Sequence, residues 1–292
     1  MERQPERPAV RLGLPKGRIQ SGVFTLLADA GIRVVQGSRQ YRPTISLQGI
    51  SAKIQKPQSV VQMLQAGSRD LGFAGADWVR ELDADRLVEL LDTGLDPVRV
   101  VAAAPDTLLE EGALPRRPLV VASEYRRITT QWMEQRGIDG RFVRSFGATE
   151  VFPPEDADCI VDNTATGSTL AANGLSIVDE LMRSSTRLYA NRAALDDPER
   201  ARTIEDLVMV LRSVIEARQR VMIEVNVAAD RLERLVDALP CMREPTVANL
   251  HGGAAYAVKA AIPRTELPVL IPRLKELGGT DVVVTQLSQI VP

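Results

Sequence analysis

A hydroxyl-rich turn after a short apolar run carries the clearest chemical pattern in the sequence. The apolar residues 159–161 precede Asp162, and the turn that follows reads Asn163-Thr164-Ala165-Thr166-Gly167-Ser168-Thr169 before a helix-like run. Backbone N–H groups at a helix start attract anions, glycine lets a ligand approach the backbone, and hydroxyls add donors. An ordinary N-capping turn has similar residues. The strand and the carboxylate in front of the turn favour a sugar phosphate site, with Asp162 accepting from the sugar hydroxyls.

Two cations follow the first predicted strand. Lys16 and Arg18 stand on either side of a glycine. Ligands of open α/β sheets lie beyond the carboxyl ends of strands. Lysine supplies a point charge and arginine a pair of parallel donors, so the two could hold a polyphosphate. A solvated basic turn is the alternative, and for Arg42, a possible third cation, a plain surface loop is the stronger interpretation.

An acidic residue follows another predicted strand. Asp77 comes just after the apolar residues 71–75, at a turn that contains glycine. Taken alone, the pattern favours a helix N-cap by Asp77, with Trp78 packed in the core.

Alternating strand and helix patterns must position these residues. A parallel sheet with flanking helices is the architecture that this alternation predicts for the first 104 residues. A connector rich in proline, glycine and charge at 105–118 leads into a second α/β unit. The predicted strands are 10–14, 33–35, 52–56, 71–75, 99–104, 119–122, 141–145, 158–161 and 187–190, and the predicted helices are 21–30, 59–66 and 128–136.

The last part of the chain has a different order of elements. A long amphipathic helix is predicted at 198–218. The order βαββαβ that follows is typical of a ferredoxin-like module. Its predicted elements are 221–227, 229–239, 246–250, 254–262, 266–277 and 281–287.

Composition narrows the function classes. The 36 Lys and Arg nearly cancel 38 Asp and Glu, so no overall field attracts nucleic acid or an anionic membrane. The 2 cysteines indicate neither a disulfide framework nor a cysteine metal site, and a single His disfavours a hydrolase triad. No apolar stretch approaches the roughly 20 residues of a membrane span. The charged N-terminal residues lack a secretory apolar region, so we expect a cytoplasmic protein.

Short motifs along nearly the whole chain resemble the long form of ATP phosphoribosyltransferase, the enzyme family that opens histidine biosynthesis. The motifs occur in the family's order, which is more specific than any one of them. The matching runs are Leu14-Pro15-Lys16-Gly17-Arg18, Tyr41-Arg42-Pro43, Asp70-Leu71-Gly72, Asp77-Trp78, Leu90-Leu91-Asp92-Thr93-Gly94, Ala122-Ser123-Glu124-Tyr125, Glu150, the turn at 162–169, Ala172-Asn173-Gly174-Leu175, Ser184-Ser185 and Pro245-Thr246-Val247.

The resemblance implies two α/β domains that form a cleft like that of periplasmic binding proteins, followed by a ferredoxin-like regulatory domain that binds histidine. The expected domains are 1–104 with 185–217, 105–184 with the phosphoribosyl loop, and 218–292. The implied reaction transfers the 5-phosphoribosyl group of phosphoribosyl pyrophosphate to N1 of ATP and releases pyrophosphate. Feedback inhibition by histidine and a dimeric or hexameric homo-oligomer are also implied.

The resemblance further implies roles for individual residues. The turn from Asp162 to Thr169 would hold the ribose 5-phosphate, with Asp162 facing the ribose hydroxyls. Lys16 and Arg18 would serve the pyrophosphate or triphosphate, and Mg²⁺ would be held mainly by substrate oxygens and water, with no metal site built from protein alone. Further candidates for the cleft are Arg42, Asp77 and Glu150.

The turn departs from the family's usual pattern of Asp, apolar, Val, Ser, Thr, Gly. Asn163, Thr164 and Ala165 occupy its centre, and Ala74 replaces a common threonine in an earlier strand. The departure leaves open which heterocycle accepts the phosphoribosyl group, because a paralogous phosphoribosyltransferase could use one other than ATP. A non-catalytic ligand sensor is a third alternative, which the retained basic residues and phosphate loop disfavour.

Overall fold

The computed structural model describes residues 10–37 and 41–291 and divides into two compact units. The first comprises the described residues up to 28 together with 32–205, and the second comprises 29–31 and the chain from 206 onward. The boundary falls inside one long helix. None of the helices in the described ranges is long and apolar enough to cross a bilayer.

The first unit is built from ten strands and seven helices over the described residues. The strands are β1 Val10–Pro15, β2 Val34–Val35, β3 Thr44–Ile45, β4 Ile50–Gln55, β5 Leu71–Gly75, β6 Val88–Pro105, β7 Leu119–Ser123, β8 Gly140–Arg144, β9 Cys159–Thr164 and β10 Leu175–Ala190. The helices are α1 Gln20–Asp29, α2 Pro57–Gln65, α3 Ala76–Glu81, α4 Arg126–Arg136, α5 Ser168–Ala172, α6 Arg192–Leu195 and α7 Pro198–Gln219, the last of which continues into the second unit.

Eight of these strands form one mixed sheet, in the order β4-β1-β5-β10-β6-β9-β7-β8. Both flanks are parallel: β1 lies parallel to β4 and β5, and β7 lies parallel to β8 and β9. In the centre β10 is antiparallel to β5 and to β6, and β6 is antiparallel to β9. The predicted α/β fold class is confirmed, whereas a wholly parallel sheet was wrong for the centre.

The two central strands are much longer than the sequence predicts, 18 residues in β6 and 16 in β10. Only 99–104 and 187–190 were predicted as strand here. The remainder of β6 contains Gly94, Asp96 and Pro97, residue types depleted in strands. Tertiary pairing between the two long strands overrides this weak local preference.

The central pair brings the ends of other strands together. Gly75, the last residue of β5, pairs with Thr186 in β10, and Thr164, the last residue of β9, pairs with Arg99 in β6. Arg99 itself pairs with Arg183, only three residues from Thr186 along β10. Because β5 and β9 run in opposite directions, their carboxyl ends face each other across the middle of the sheet.

The second unit has a four-stranded antiparallel sheet in the order β12-β13-β11-β14. Its apolar core contains Val221, Val225, Leu235, Val258 and Leu274. The elements run β11 Arg220–Ala228, α8 Leu232–Val236, β12 Thr246–Asn249, β13 Ala255–Pro263, α9 Leu267–Glu276 and β14 Thr280–Gln286. The ferredoxin-like module predicted from the order of elements is confirmed.

Candidate functional site

Two adjoining cavities lie where the strand ends converge. The first has a volume of about 330 Å³ and the second about 380 Å³. Arg18, Val98 and Asn163 line both and mark their junction. The first cavity is otherwise lined by Lys16, Ile19, Pro57, Gln58, Gly75, Asp77, Trp78, Asp96, Glu124, Ser184, Ser185 and Thr186. The second is otherwise lined by Glu150, Asp162, Thr164, Ala165, Thr166, Ser168, Thr169 and Leu170.

The predicted phosphate loop forms one wall of the second cavity. Its glycine, Gly167, has φ +85° and caps the start of α5 in the left-handed region, which favours glycine. The N–H of Gly167 donates to Thr164 Oγ1 at 2.9 Å, and the N–H of Ser168 donates to Thr166 Oγ1 at 3.3 Å. Because α5 has only 5 residues, its dipole is small, and the hydroxyl groups of the loop are the principal polar groups that it presents to a ligand.

Asp162 has an unusual environment for a carboxyl group. Burial, followed by repulsion from the carboxylates of Glu150 and Glu124, raises the pKa of Asp162 to about 6. The N–H of Asn163 donates to Asp162 Oδ1 at 2.7 Å and opposes part of this rise. The carboxyl group, whose pKa is raised to about 6, therefore changes its charge near pH 6, at the wall of the second cavity.

A network of hydrogen bonds between buried and half-buried polar side chains adjoins the first cavity. The Tyr125 hydroxyl donates to Asp77 Oδ2 at 2.7 Å and accepts from Asn163 Nδ2 at 2.9 Å. Ser184 Oγ donates to Asp77 Oδ1 at 2.8 Å and accepts from the Asp77 N–H at 3.1 Å. Burial and the neighbouring Asp77 charge raise the pKa of Tyr125 well above its usual value. Tyr125 is therefore a neutral hydrogen-bonding group here.

The N-cap expected at Asp77 was wrong. The N-cap of α3 is Gly75, and Asp77 lies inside the first turn with its carboxylate in the buried network. A Cβ atom at Gly75 would overlap Asp77 Oδ1, so glycine is needed there for the carboxylate to fold back. Trp78 is half-buried, and the centre of its ring lies 4.7 Å from that of Tyr125.

The structure places two of the three predicted cations at the cavities. Lys16 lines the first cavity, and its Nζ lies 5.2 Å from the centre of the Tyr41 ring. Arg18 lines both cavities, with its Nη1 3.5 Å from Asp96 Oδ1. Arg42 is exposed and lines neither of them.

The acidic candidates and the loop also converge. Asp77 lines the first cavity, whereas Glu150 and Asp162 line the second with six further residues of the loop. Gly167 is the loop residue that does not line it; it shapes the turn instead.

Oxygen atoms dominate the ligating groups of the second cavity. The carboxylates of Glu150 and Asp162 lie beside threonine and serine hydroxyls. Such donors fit a hard divalent cation that brings further oxygen ligands with its substrate. Within residues 10–37 and 41–291, no group of three or more His, Cys, Asp and Glu is arranged to hold a metal ion.

Sequence reasoning missed several residues that line or support the site, among them Glu124, Tyr125 and Ser184. Tyr125 and Ser184 occur in motifs of the family resemblance but had no assigned role, and Glu124 lines the first cavity beside them. The signal was their position directly after a strand, for Glu124 and Tyr125, or at the middle of a long strand, for Ser184.

Nearly the whole chain is similar to known proteins. Residues 56–213 match the family described as ATP phosphoribosyltransferase, and residues 217–289 match its C-terminal domain. The ATP phosphoribosyltransferase of Pelotomaculum thermopropionicum is 32% identical over 97% of this chain and 99% of its own. That of Chlorobaculum parvum is 33% identical over 97% of each chain.

A solved structure agrees with the sequence relatives. A chain of the ATP phosphoribosyl transferase (HisG:HisZ) complex from Thermotoga maritima superposes with a TM-score of 0.63 and 27% identity. The match covers 71% of this chain and 98% of that one. Both family regions match, the relatives align over nearly the full chain, and the fold is shared. The chain therefore belongs to the ATP phosphoribosyltransferase family.

Proposed function

We propose that this protein transfers the 5-phosphoribosyl group of phosphoribosyl pyrophosphate to N1 of the adenine of ATP and releases pyrophosphate, the first step of histidine biosynthesis. The observation that carries the proposal is the pair of adjoining cavities, one walled by the hydroxyl-rich loop 162–169 and the other by cations and a half-buried tryptophan. Membership of the ATP phosphoribosyltransferase family supports the same reaction.

The phosphoribosyl group would occupy the second cavity. In this arrangement the hydroxyls of Thr166, Ser168 and Thr169 hold the 5-phosphate, and the carboxylate of Asp162 accepts from the ribose hydroxyls. As the bond from ribose C1 to pyrophosphate breaks, positive charge grows on the ribose. Asp162 and Glu150 both line this cavity, and their carboxyl groups would stabilise that charge.

The pyrophosphate and the triphosphate would meet the cations of the first cavity. Lys16 and Arg18 line this cavity, and Arg18 also lines the second one. Bond breaking builds negative charge on the departing pyrophosphate, which these cations would offset. The reaction then needs no protein nucleophile, because the enzyme acts by positioning the substrates and by electrostatic stabilisation.

We propose Mg²⁺ as the metal. Glu150 and Asp162 offer oxygen atoms that suit it, and most of its ligands would come from phosphate oxygens and water. When bound, Mg²⁺ would neutralise charge on the pyrophosphate.

Three further properties extend the proposal. We propose that histidine binds to the ferredoxin-like unit and inhibits the enzyme, and that the protein forms homo-oligomers, dimers or hexamers. A cytoplasmic location fits a biosynthetic enzyme that draws on ATP. We also propose that the α/β part of the chain forms two domains, 1–104 with 185–217 and 105–184.

A turnover assay with separate ligand titrations tests the proposed reaction. Purified protein is incubated with ATP, phosphoribosyl pyrophosphate, Mg²⁺ and pyrophosphatase, and product is followed by absorbance. We expect turnover that requires both substrates. Absence of turnover at high enzyme concentration would overturn the proposal. Calorimetry that shows binding of phosphoribosyl pyrophosphate but not of ATP would then indicate a paralogous transferase with another heterocyclic acceptor.

A further inference from the structure

Asn163 stands at the junction of the two cavities. Apart from Arg18 and Val98, it is the residue that lines both. The family's usual loop has an apolar residue at this place, directly after the aspartate. An amide in this position puts a donor and an acceptor where the two substrates would meet.

The hydrogen bonds behind Asn163 fix the direction of its amide. Ser184 Oγ accepts from the Asp77 N–H, so its own proton goes to Asp77 Oδ1. The single proton of the Tyr125 hydroxyl goes to Asp77 Oδ2. The Tyr125 oxygen can therefore only accept from Asn163, which must present its Nδ2 to it, at 2.9 Å.

The amide oxygen of Asn163 is consequently turned away from Tyr125. Among the residues that the structure describes, no group donates a hydrogen bond to Asn163 Oδ1. Reversal of the amide would bring its oxygen against the Tyr125 oxygen, whose proton is already committed to Asp77. The network thus holds a free acceptor in a fixed orientation at the cavity junction.

The surroundings indicate which ligand group this acceptor faces. Trp78 lines the first cavity and offers a half-buried ring, a surface suited to a flat heterocycle. The phosphate loop lines the second cavity and suits the phosphoribosyl group. With the substrates in these cavities, an acceptor between them would lie beside the edge of the heterocycle that reacts with ribose C1.

We propose that Asn163 is a specificity-determining residue whose amide oxygen accepts a hydrogen bond from the 6-amino group of the acceptor purine. The inference rests on the proposed function. In that reaction the electron pair of the bond from C1 to oxygen leaves with pyrophosphate, and the N1 lone pair forms the new bond to C1. Positive charge then spreads over N1, C6 and the 6-amino nitrogen. The amino N–H becomes a stronger donor, so the bond to Asn163 strengthens as the reaction proceeds.

The test combines a protein change with a substrate change. ATP is compared with purine riboside 5′-triphosphate, which keeps N1 and lacks the 6-amino group. We expect Asn163→Leu to lower kcat/KM for ATP about tenfold more than it lowers kcat/KM for the desamino substrate, because the lost hydrogen bond to Tyr125 affects both nucleotides and the lost amide oxygen affects only ATP. The preference for ATP should therefore shrink about tenfold in the variant.

The alternative outcomes separate the possible failures. An equal fall with both nucleotides, or no fall, would overturn the inference while the proposed function stands. Absence of turnover of ATP by the unmodified enzyme would instead overturn the proposed function. Should the desamino substrate be bound but not turned over, dissociation constants for both nucleotides from calorimetry give the same comparison.

A matched control removes an asparagine elsewhere. Asn249 is exposed in β12, within the second unit, and Asn249→Leu should leave the nucleotide preference unchanged. Unaltered affinity of Asn163→Leu for phosphoribosyl pyrophosphate would show that its second cavity is intact.

Discussion

At the scale of single residues, Asp162 is the group whose charge depends most closely on its surroundings. Burial and the carboxylates of Glu150 and Glu124 raise the pKa of Asp162 to about 6. The ionised form is the one that can accept from ribose hydroxyls and face positive charge on the ribose. The burial that disfavours the ionised form of Asp162 would also strengthen its interaction with positive charge in the proposed transition state.

The acid limb of the pH profile should report this group. Protonation removes the charge as pH falls through the raised pKa, so kcat/KM for phosphoribosyl pyrophosphate should be full well above pH 6 and fall below it. Glu150→Gln removes one repelling charge, lowers the pKa of Asp162 and should move the acid limb to lower pH. The substrate phosphates also titrate at about pH 6, but the substitution does not change them.

Glu155→Gln serves as the matched control, since Glu155 is exposed and does not act on Asp162. Its acid limb should coincide with that of the unmodified enzyme. A limb that stays in place in Glu150→Gln would contradict the assignment to Asp162.

Tyr125 is a second single residue on which the site depends, because its hydroxyl bridges Asp77 and Asn163. Tyr125→Phe removes a hydroxyl between Asp77 and Asn163 and leaves two polar groups without their partner. We expect the free energy of unfolding to fall by about 1–3 kcal/mol and kcat/KM to fall with it. Denaturant titration measures the first quantity and steady-state kinetics the second.

Tyr189→Phe provides the comparison for that prediction. Tyr189 is equally buried, but among the described residues its hydroxyl has no hydrogen-bond partner. Its loss should change the free energy of unfolding by less than about 0.5 kcal/mol. Similar losses in the two variants would mean that the network contributes nothing beyond packing.

At the scale of elements, the sequence predicts most strands and helices but not how the central strands join them. Apolar runs and 3.6-residue periods are local, so β1, β5, α4 and the ferredoxin-like order could be predicted. The lengths of β6 and β10 depend on their pairing with each other, which no local pattern contains.

The site shows the same division between local and non-local information. The grouping of the loop residues at one cavity could be predicted, because the hydroxyls, the glycine and the carboxylate are neighbours in sequence. The buried network could not, because Tyr125 lies 48 residues from Asp77, and Ser184 lies 107 residues from it.

The turn before α5 is the element that we propose to hold the phosphoribosyl group. Gly167→Ala forces a side chain into the left-handed region at φ +85° and should cost about 1 kcal/mol of stability. Because the strained residue shapes the phosphate loop, we also expect KM for phosphoribosyl pyrophosphate to rise severalfold. Initial-rate measurements at varied phosphoribosyl pyrophosphate check this.

Gly174→Ala separates strain from function. Gly174 also has positive φ, +69°, and follows the other end of α5, outside both cavities. Its stability cost should be similar, whereas KM should not change. Equal rises in KM for both variants would argue against a direct role of the loop geometry.

At the scale of the whole molecule, the chain has two compact units with their own cores. The first holds both cavities. None of the described residues of the ferredoxin-like unit lines either cavity, which suits the proposed role as a separate regulatory module. Regulation through it would operate by a ligand that favours one state of the protein over another.

Thermal unfolding with histidine tests that role. Saturating histidine should raise the Tm of the full chain by on the order of 2–4 °C, because a ligand that binds the folded state stabilises it. A chain that ends near Arg218 keeps the first unit and should show no shift. Equal stabilisation of both proteins would place the histidine site outside the second unit.

In the proposed reaction this protein joins C1 of the ribose to N1 of ATP. Phosphoribosyl pyrophosphate labelled with ¹³C at ribose C1 is incubated with ATP labelled with ¹⁵N at N1, Mg²⁺ and pyrophosphatase, and the product is examined by NMR. We expect a one-bond coupling between the two labelled atoms, which appears only with active enzyme. A ribose C1 signal without that coupling, whether from hydrolysis or from a bond to another nitrogen, would contradict it.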